Sequence, residues 1–300
     1  MTTTVQDAPP AGAGLDVRDA ARRKHPWRWL SAFVVLVFAA QLAKMLVTNE
    51  NFGWDVVWSW LRAESIVRGL GITLMLTVVA MLIGVVLGVL LAVCRISANP
   101  LLRGAAGLYI WFFRGTPTLV QLVFWFNLSS VFPRILGIDT NQLMTPFLAA
   151  LLGLGLNFSA YYSEIVRAGI LSVDEGQTDA AAAYGLSRFQ TLARIILPQA
   201  MRVIVPPTGN EVIGMLKWTS LATVVSYGEL LNSVQTIYNV NYEIIPLLMV
   251  AALWYLALTT VLSTGQFFLE RYVARGSQRN PPQNWITANG MKAWRKVRPT

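Results

Sequence analysis

Three ionisable residues stand inside long apolar stretches of this sequence, each with polar company at helical spacing. Asn157, Tyr161 and Glu164 fall at i, i+4 and i+7, so one helix face carries all three. Glu211, Met215 and Trp218 repeat that spacing, and Asn210, Gly214 and Lys217 occupy the adjacent face. Ionisable groups in apolar surroundings are costly and usually face a cavity. Acids and a base around one path suit a zwitterion. A carboxylate holds the ammonium group; Lys217, Arg114 or the N-terminus of a broken helix holds the carboxylate. A structural arrangement competes at each position. Glu164 can pair with Arg167, and Glu211 can form an ion pair between subunits. Arg114 can brace a helix break at Gly115, Thr116 and Pro117, and Lys217 can snorkel or hold a gate helix.

Several chemistries are excluded. The sequence holds no Gly-Lys pair, so no loop can cradle phosphates beside a lysine, and the chain is not an ATPase. The one histidine, His25, lies in a tail, so no Ser/His/Asp set forms. The one cysteine, Cys94, allows neither an internal disulfide nor a multi-cysteine metal site. No catalytic, cofactor-binding or metal-ligating residue is expected.

The elements that position these residues are membrane helices. Hydrophobic residues make up 55% of the 300 and charged residues 13%, about half the usual share of a soluble domain. Six stretches can cross a bilayer, near 29–48, 67–94, 104–131, 146–168, 206–226 and 244–270. The third is interrupted at Arg114–Pro117 and the fifth starts at Pro206-Pro207. Positive residues mark the cytosolic side. They gather in both tails (residues 1–28 and 271–300), at Arg95 and Arg103, and at Arg167, Arg188, Arg194 and Arg202. Only Arg62, Arg68 and Arg134 fall opposite. Both termini are therefore expected in the cytosol, and the net charge of +9 reports orientation. Basic residues split between two tails make no stripe for nucleic acid. The first apolar run, 29–48, reads as an uncleaved anchor rather than a signal peptide.

Between the fourth and fifth spans lies a polar elbow, 172–198. Ser172 and Glu175 fit a capping box, predicting a helix from near Val173; Ser187 and Gln190 fit another, predicting a helix that runs to Leu197 and stops at Pro198. Ala180–Ala183 add little bulk, and Gly185 suits a left-handed cap. A polar elbow between spans must meet something outside the bilayer. It is either a docking surface for another protein or an amphipathic interfacial loop.

Asp179-Ala180-Ala181-Ala182-Ala183-Tyr184-Gly185, then Ile195-Ile196-Leu197-Pro198, resembles the "EAA" coupling loop of type I ABC-importer permeases, with Asp179 where Glu is usual. Arg114-Gly115-Thr116-Pro117 with Val120-Gln121 resembles the signature of the polar amino-acid subfamily. So do Tyr161-Tyr162 with Glu164-Ile165-Val166-Arg167, then Gly176-Gln177, and Lys217-Trp218-Thr219-Ser220-Leu221. The likeness covers residues 66 to 270. It implies an all-α membrane protein with a five-helix importer core and one extra N-terminal helix, in a bacterial inner membrane. It implies ATPase coupling through Gly176, Asp179, Ala180, Ala181, Gly185 and Pro198. The expected partners are ABC ATPase subunits carrying ATP and Mg, a second permease copy or sister permease, and an extracytoplasmic amino-acid-binding protein. Carriers of basic amino acids often place an acid after the motif lysine; here Trp218 stands there, which weakens a cationic substrate. An ion-coupled transporter working alone and a membrane scaffold are the alternatives. The first leaves the alanine-rich elbow unexplained; the second leaves the charged helix faces unexplained.

Overall fold

The computed structural model describes residues 26–274; the basic tails read from the sequence lie mostly outside them. Residues up to Phe52 form one unit and those from Gly53 another. The first unit holds α1 (Pro26–Thr48), apolar on every side and exposed almost throughout. A helix apolar all round suits lipid.

The second unit is a bundle. Its elements are α2 (Trp54–Trp60), α3 (Glu64–Ile96), α4 (Pro100–Gly115), α5 (Thr118–Phe126), α6 (Thr140–Leu143), α7 (Pro146–Leu171), α8 (Glu175–Ala183), α9 (Arg188–Thr191), α10 (Leu197–Trp218), α11 (Leu230–Asn241) and α12 (Ile244–Ala274). A two-residue hairpin, β1 (Arg134–Ile135) with β2 (Ile138–Asp139), is the small exception to the all-α expectation. By length and composition alone, α1, α3 and α12 can each cross a membrane. The other stretches read from the sequence as spans fall on the α4–α5 pair, α7 and α10.

Local chemistry sets the helix starts. Asn99 and Thr145 accept from Leu101 N and Leu148 N, each just before a proline in the first turn. Proline also corrects two sequence readings. Pro206 and Pro207 lie inside α10, which begins at Leu197 rather than at the proline pair. Gln266 Nε2 of α12 donates to the Pro206 carbonyl at 3.3 Å and so ties α12 to this stretch of α10. Pro198 does not stop the elbow's second helix: a π turn over Leu192–Ile196 carries α9 into α10, and Pro198 is the second residue of α10.

The core is the crossing of α3 and α7. Gly84 lies under Phe158, and Gly88 lies against Tyr162 and the Ser159 carbonyl. Small residues let membrane helices approach this closely. A Cβ on Gly88 would stand 3.0 Å from Ser159 O, a backbone atom that cannot turn aside. Gly88→Leu is therefore expected to cost about 2 kcal/mol, read as a lower Tm of the detergent-extracted protein.

A second cluster joins Val57, Ile66, Leu230, Val234, Leu247 and Val250. Beside it sits Glu229, wholly buried. Its carboxylate caps α11, accepting from Leu231 N at 3.0 Å and Asn232 N at 2.7 Å, and from Tyr255 Oη of α12 at 2.9 Å. Thr73 Oγ1 of α3 accepts from Leu230 N at 3.0 Å. One acid thus ties three helices together.

Candidate coupling elbow and transmembrane cavity

The elbow opens differently from its sequence reading. Ser172 remains on α7, its hydroxyl donating to Gly169 O, so it cannot cap the next helix. Asp174 does so instead, accepting from Gly176 N at 2.9 Å, and α8 starts at Glu175. Its C-terminus is a paired closure at Gly185, which has φ +74°. Gly185 N donates to Ala182 O at 2.9 Å and Leu186 N to Ala181 O at 3.1 Å. These are the two bonds of a Schellman motif, and the left-handed residue they need is cheapest as glycine. The second helix starts as read: Ser187 and Gln190 form both halves of a capping box.

Asp179, Ala180, Ala182 and Ala183 are exposed, whereas Ala181 is buried against the rest of the elbow. Two aromatic side chains flank the glycine bend, Tyr184 at 88% and Phe189 at 78% exposure. The sequence reading passed over both, although aromatics in a polar segment were a visible signal. The π turn joins this surface to α10 without an intervening loop. The elbow is thus continuous with the helix that carries Glu211.

A cavity of about 350 Å³ opens between α4, α7 and α10, lined by Arg114, Tyr161, Glu164, Val203, Pro207 and Glu211 among others. The Arg114 guanidinium lies 5.1 Å from the centre of the Tyr161 ring, a cation–π contact. Glu164 pairs with Arg167, accepting from Nε at 2.9 Å and Nη2 at 2.8 Å. This salt bridge joins residues three apart on one helix. Glu211 is half-buried on the facing helix without an ion pair there. A larger cavity, about 580 Å³, lies elsewhere, between the start of α3 and α11, and holds none of the sequence-read path residues.

The helical faces read from the sequence are thus only partly brought together. Tyr161, Glu164 and Glu211 share the cavity with Arg114. Asn157 does not: it is buried beneath the α4–α5 break, donating to Phe113 O and Gln121 Oε1. Met215 is fully buried in the core and Trp218 packs against it. Lys217 is exposed. Spacing defines a helix face, but the covering elements decide what that face meets. Here α5 and the 3₁₀ turn Thr219–Val225 pack against α7, so the upper part of the face meets protein.

Residues 84–275 match the family described as "Binding-protein-dependent transport system inner membrane component". The chain is 46% identical to the arginine transport system permease protein ArgU of Corynebacterium glutamicum over 267 residues, 87% of this chain and 84% of that one. It is 37% identical to the L-cystine transport system permease protein TcyB of Bacillus subtilis, over 75% of this chain and 95% of the relative. The solved structure of an amino acid ABC transporter with histidines superposes at a TM-score of 0.64, with 33% identity, over 74% of this chain and 98% of that one. A bacterial alginate ABC transporter shares the fold alone, at 16% identity and a TM-score of 0.59. With a bundle of this architecture, an exposed alanine–glycine elbow and a match over most of its length, the chain belongs to the binding-protein-dependent transport system inner membrane components, the permease subunits of ABC importers.

Proposed function

We propose that this permease moves a polar amino acid, delivered by an extracytoplasmic binding protein, and that a separate ATPase drives it by gripping the elbow from the cytosol. The observation that carries the reading is the elbow itself: an exposed helix of minimal side-chain bulk, a left-handed glycine closure, and direct continuity into α10. ATP and Mg belong to the ATPase chain. Charge distribution supports both termini in the cytosol of a bacterial inner membrane. Two permease copies, or this chain and a sister, complete the pore.

ATP closes the ATPase pair, which draws two elbows together. Each elbow pulls α10 through its π turn. Packed helices switch between discrete arrangements, so the cavity opens outward rather than deforming gradually. A zwitterion then finds Arg114 for its carboxylate and Glu211 for its ammonium group. Glu164 is already engaged by Arg167, which leaves Glu211 as the available acid. Relatives named for arginine and for cystine fit a substrate with an amino-acid head and a variable side chain.

Reconstituted with its ATPase and binding protein, the permease is expected to take up amino acid only with ATP. Uptake by the chain alone would favour ion coupling instead. Glu211→Gln removes the free charge and keeps the shape. It should raise half-saturation for uptake by about tenfold, the effect of losing one charged hydrogen bond, with the amount of permease in the membrane unchanged. Unaltered uptake kinetics would remove Glu211 from the path.

A further inference from the structure

The break between α4 and α5 leaves one backbone acceptor without its helical partner. In a continuous helix the N–H of residue 117 would donate to Phe113 O, and Pro117 has no N–H. Two buried side-chain amides take its place. Gln121 Nε2 donates toward Phe113 O at 3.1 Å and Thr116 O at 3.2 Å, and also meets Thr116 Oγ1. Asn157 Nδ2, from α7, donates to the same Phe113 O at 2.9 Å and to Gln121 Oε1 at 3.3 Å. Both amides are nearly solvent-free. Thr116 completes the knot, its hydroxyl donating to Phe112 O at 2.9 Å.

The position of this knot gives it a consequence. Phe113, whose carbonyl the amides hold, immediately precedes Arg114. Asn157 lies one helical turn from Tyr161, the ring over which that guanidinium rests. A proline break would otherwise be a hinge, since its helix ends share few hydrogen bonds. Here the bend is fixed from within by Gln121 and from the neighbouring helix by Asn157.

We propose that Asn157 and Gln121 are positioning residues whose amides set the angle of the third-span break and hold residue 114 at the cavity wall. Their bearing on transport rests on the substrate-path reading of that cavity. A merely structural role would be different: the amides would only satisfy a carbonyl, and any other donor would serve as well.

Pro117→Ala separates the two, because it returns an N–H to residue 117 while letting the helix run straight. The experiment uses the assembled transporter in liposomes, with Cys94→Ser and Arg114→Cys, and follows modification by a cationic methanethiosulfonate reagent. Adding Asn157→Leu or Gln121→Leu should slow modification by about tenfold or more, as expected for losing a buried hydrogen-bonded pair, and lower Tm. Adding Pro117→Ala to either should restore Tm while modification stays slow. An unchanged rate in the leucine variants would overturn the proposal. So would joint recovery of rate and Tm on adding Pro117→Ala. This readout needs no transport, so its failure is distinct from failure of the Glu211 uptake test, which bears on the path itself.

Discussion

Gly185→Trp leaves the permease inserted and folded and removes the stimulation of ATP hydrolysis by loaded binding protein. The fold tolerates the change because a side chain at Gly185 meets nothing within 4 Å. The backbone cost of a non-glycine residue at φ +74° is about 1–2 kcal/mol, confined to a surface turn. The indole then stands between Tyr184 and Phe189, where a partner must approach closely. Obstruction at the centre of an interface typically costs more than about 2 kcal/mol, so stimulated hydrolysis should drop more than about tenfold. Gly185→Ala, which carries the backbone strain without the bulk, should keep most of the stimulation. The assay is ATPase rate in the reconstituted complex against binding-protein concentration. Full stimulation in the tryptophan variant would contradict the docking role of the bend.

The second large effect is on stability. Glu229→Ala removes the acceptor shared by Leu231 N, Asn232 N and Tyr255 Oη, a carboxylate that is itself wholly buried. Each buried polar group left without a partner costs about 1–3 kcal/mol. The capping acid of α11 and its link to α12 go together, so the total should exceed about 3 kcal/mol. Glu229→Gln keeps one acceptor oxygen and should lose less. Thermal unfolding in detergent would show Tm falling in the order wild type, Gln, Ala. An alanine variant as stable as wild type would mean that the three helices are held together by their apolar contacts alone.

Why the sequence showed some features and hid others follows from particular residues. Long apolar runs need no tertiary information, so α3, α7 and α12 were visible, as was the break at Gly115–Pro117. The Ser187–Gln190 box was visible because both halves are local. Ser172 misled because its hydroxyl has a nearer acceptor on α7, and Asp174 stood two residues closer to the helix. The prolines misled in a shared way. Proline forbids a backbone donor; it does not by itself say whether a helix ends, starts or is patched from another strand of the chain. At Pro117 the patch comes from Gln121 and from Asn157, forty residues later. Asn157 and Met215 were placed on the path because periodicity cannot see what covers a face. Glu229 was missed altogether. An acid directly after Gly228 and before Leu230-Leu231 was the available signal, but its partners Tyr255 and Thr73 lie far along the chain.

The account depends most on the elbow lying in the cytosol within reach of an ATPase. The direct measurement is sided labelling. In a Cys94→Ser background, which leaves no other cysteine, Ala183→Cys places a thiol at the exposed end of α8. A membrane-impermeant maleimide should label it only in inside-out vesicles, and bound ATPase should protect it. Labelling of intact cells from the outer face, or no protection by the ATPase, would contradict the account.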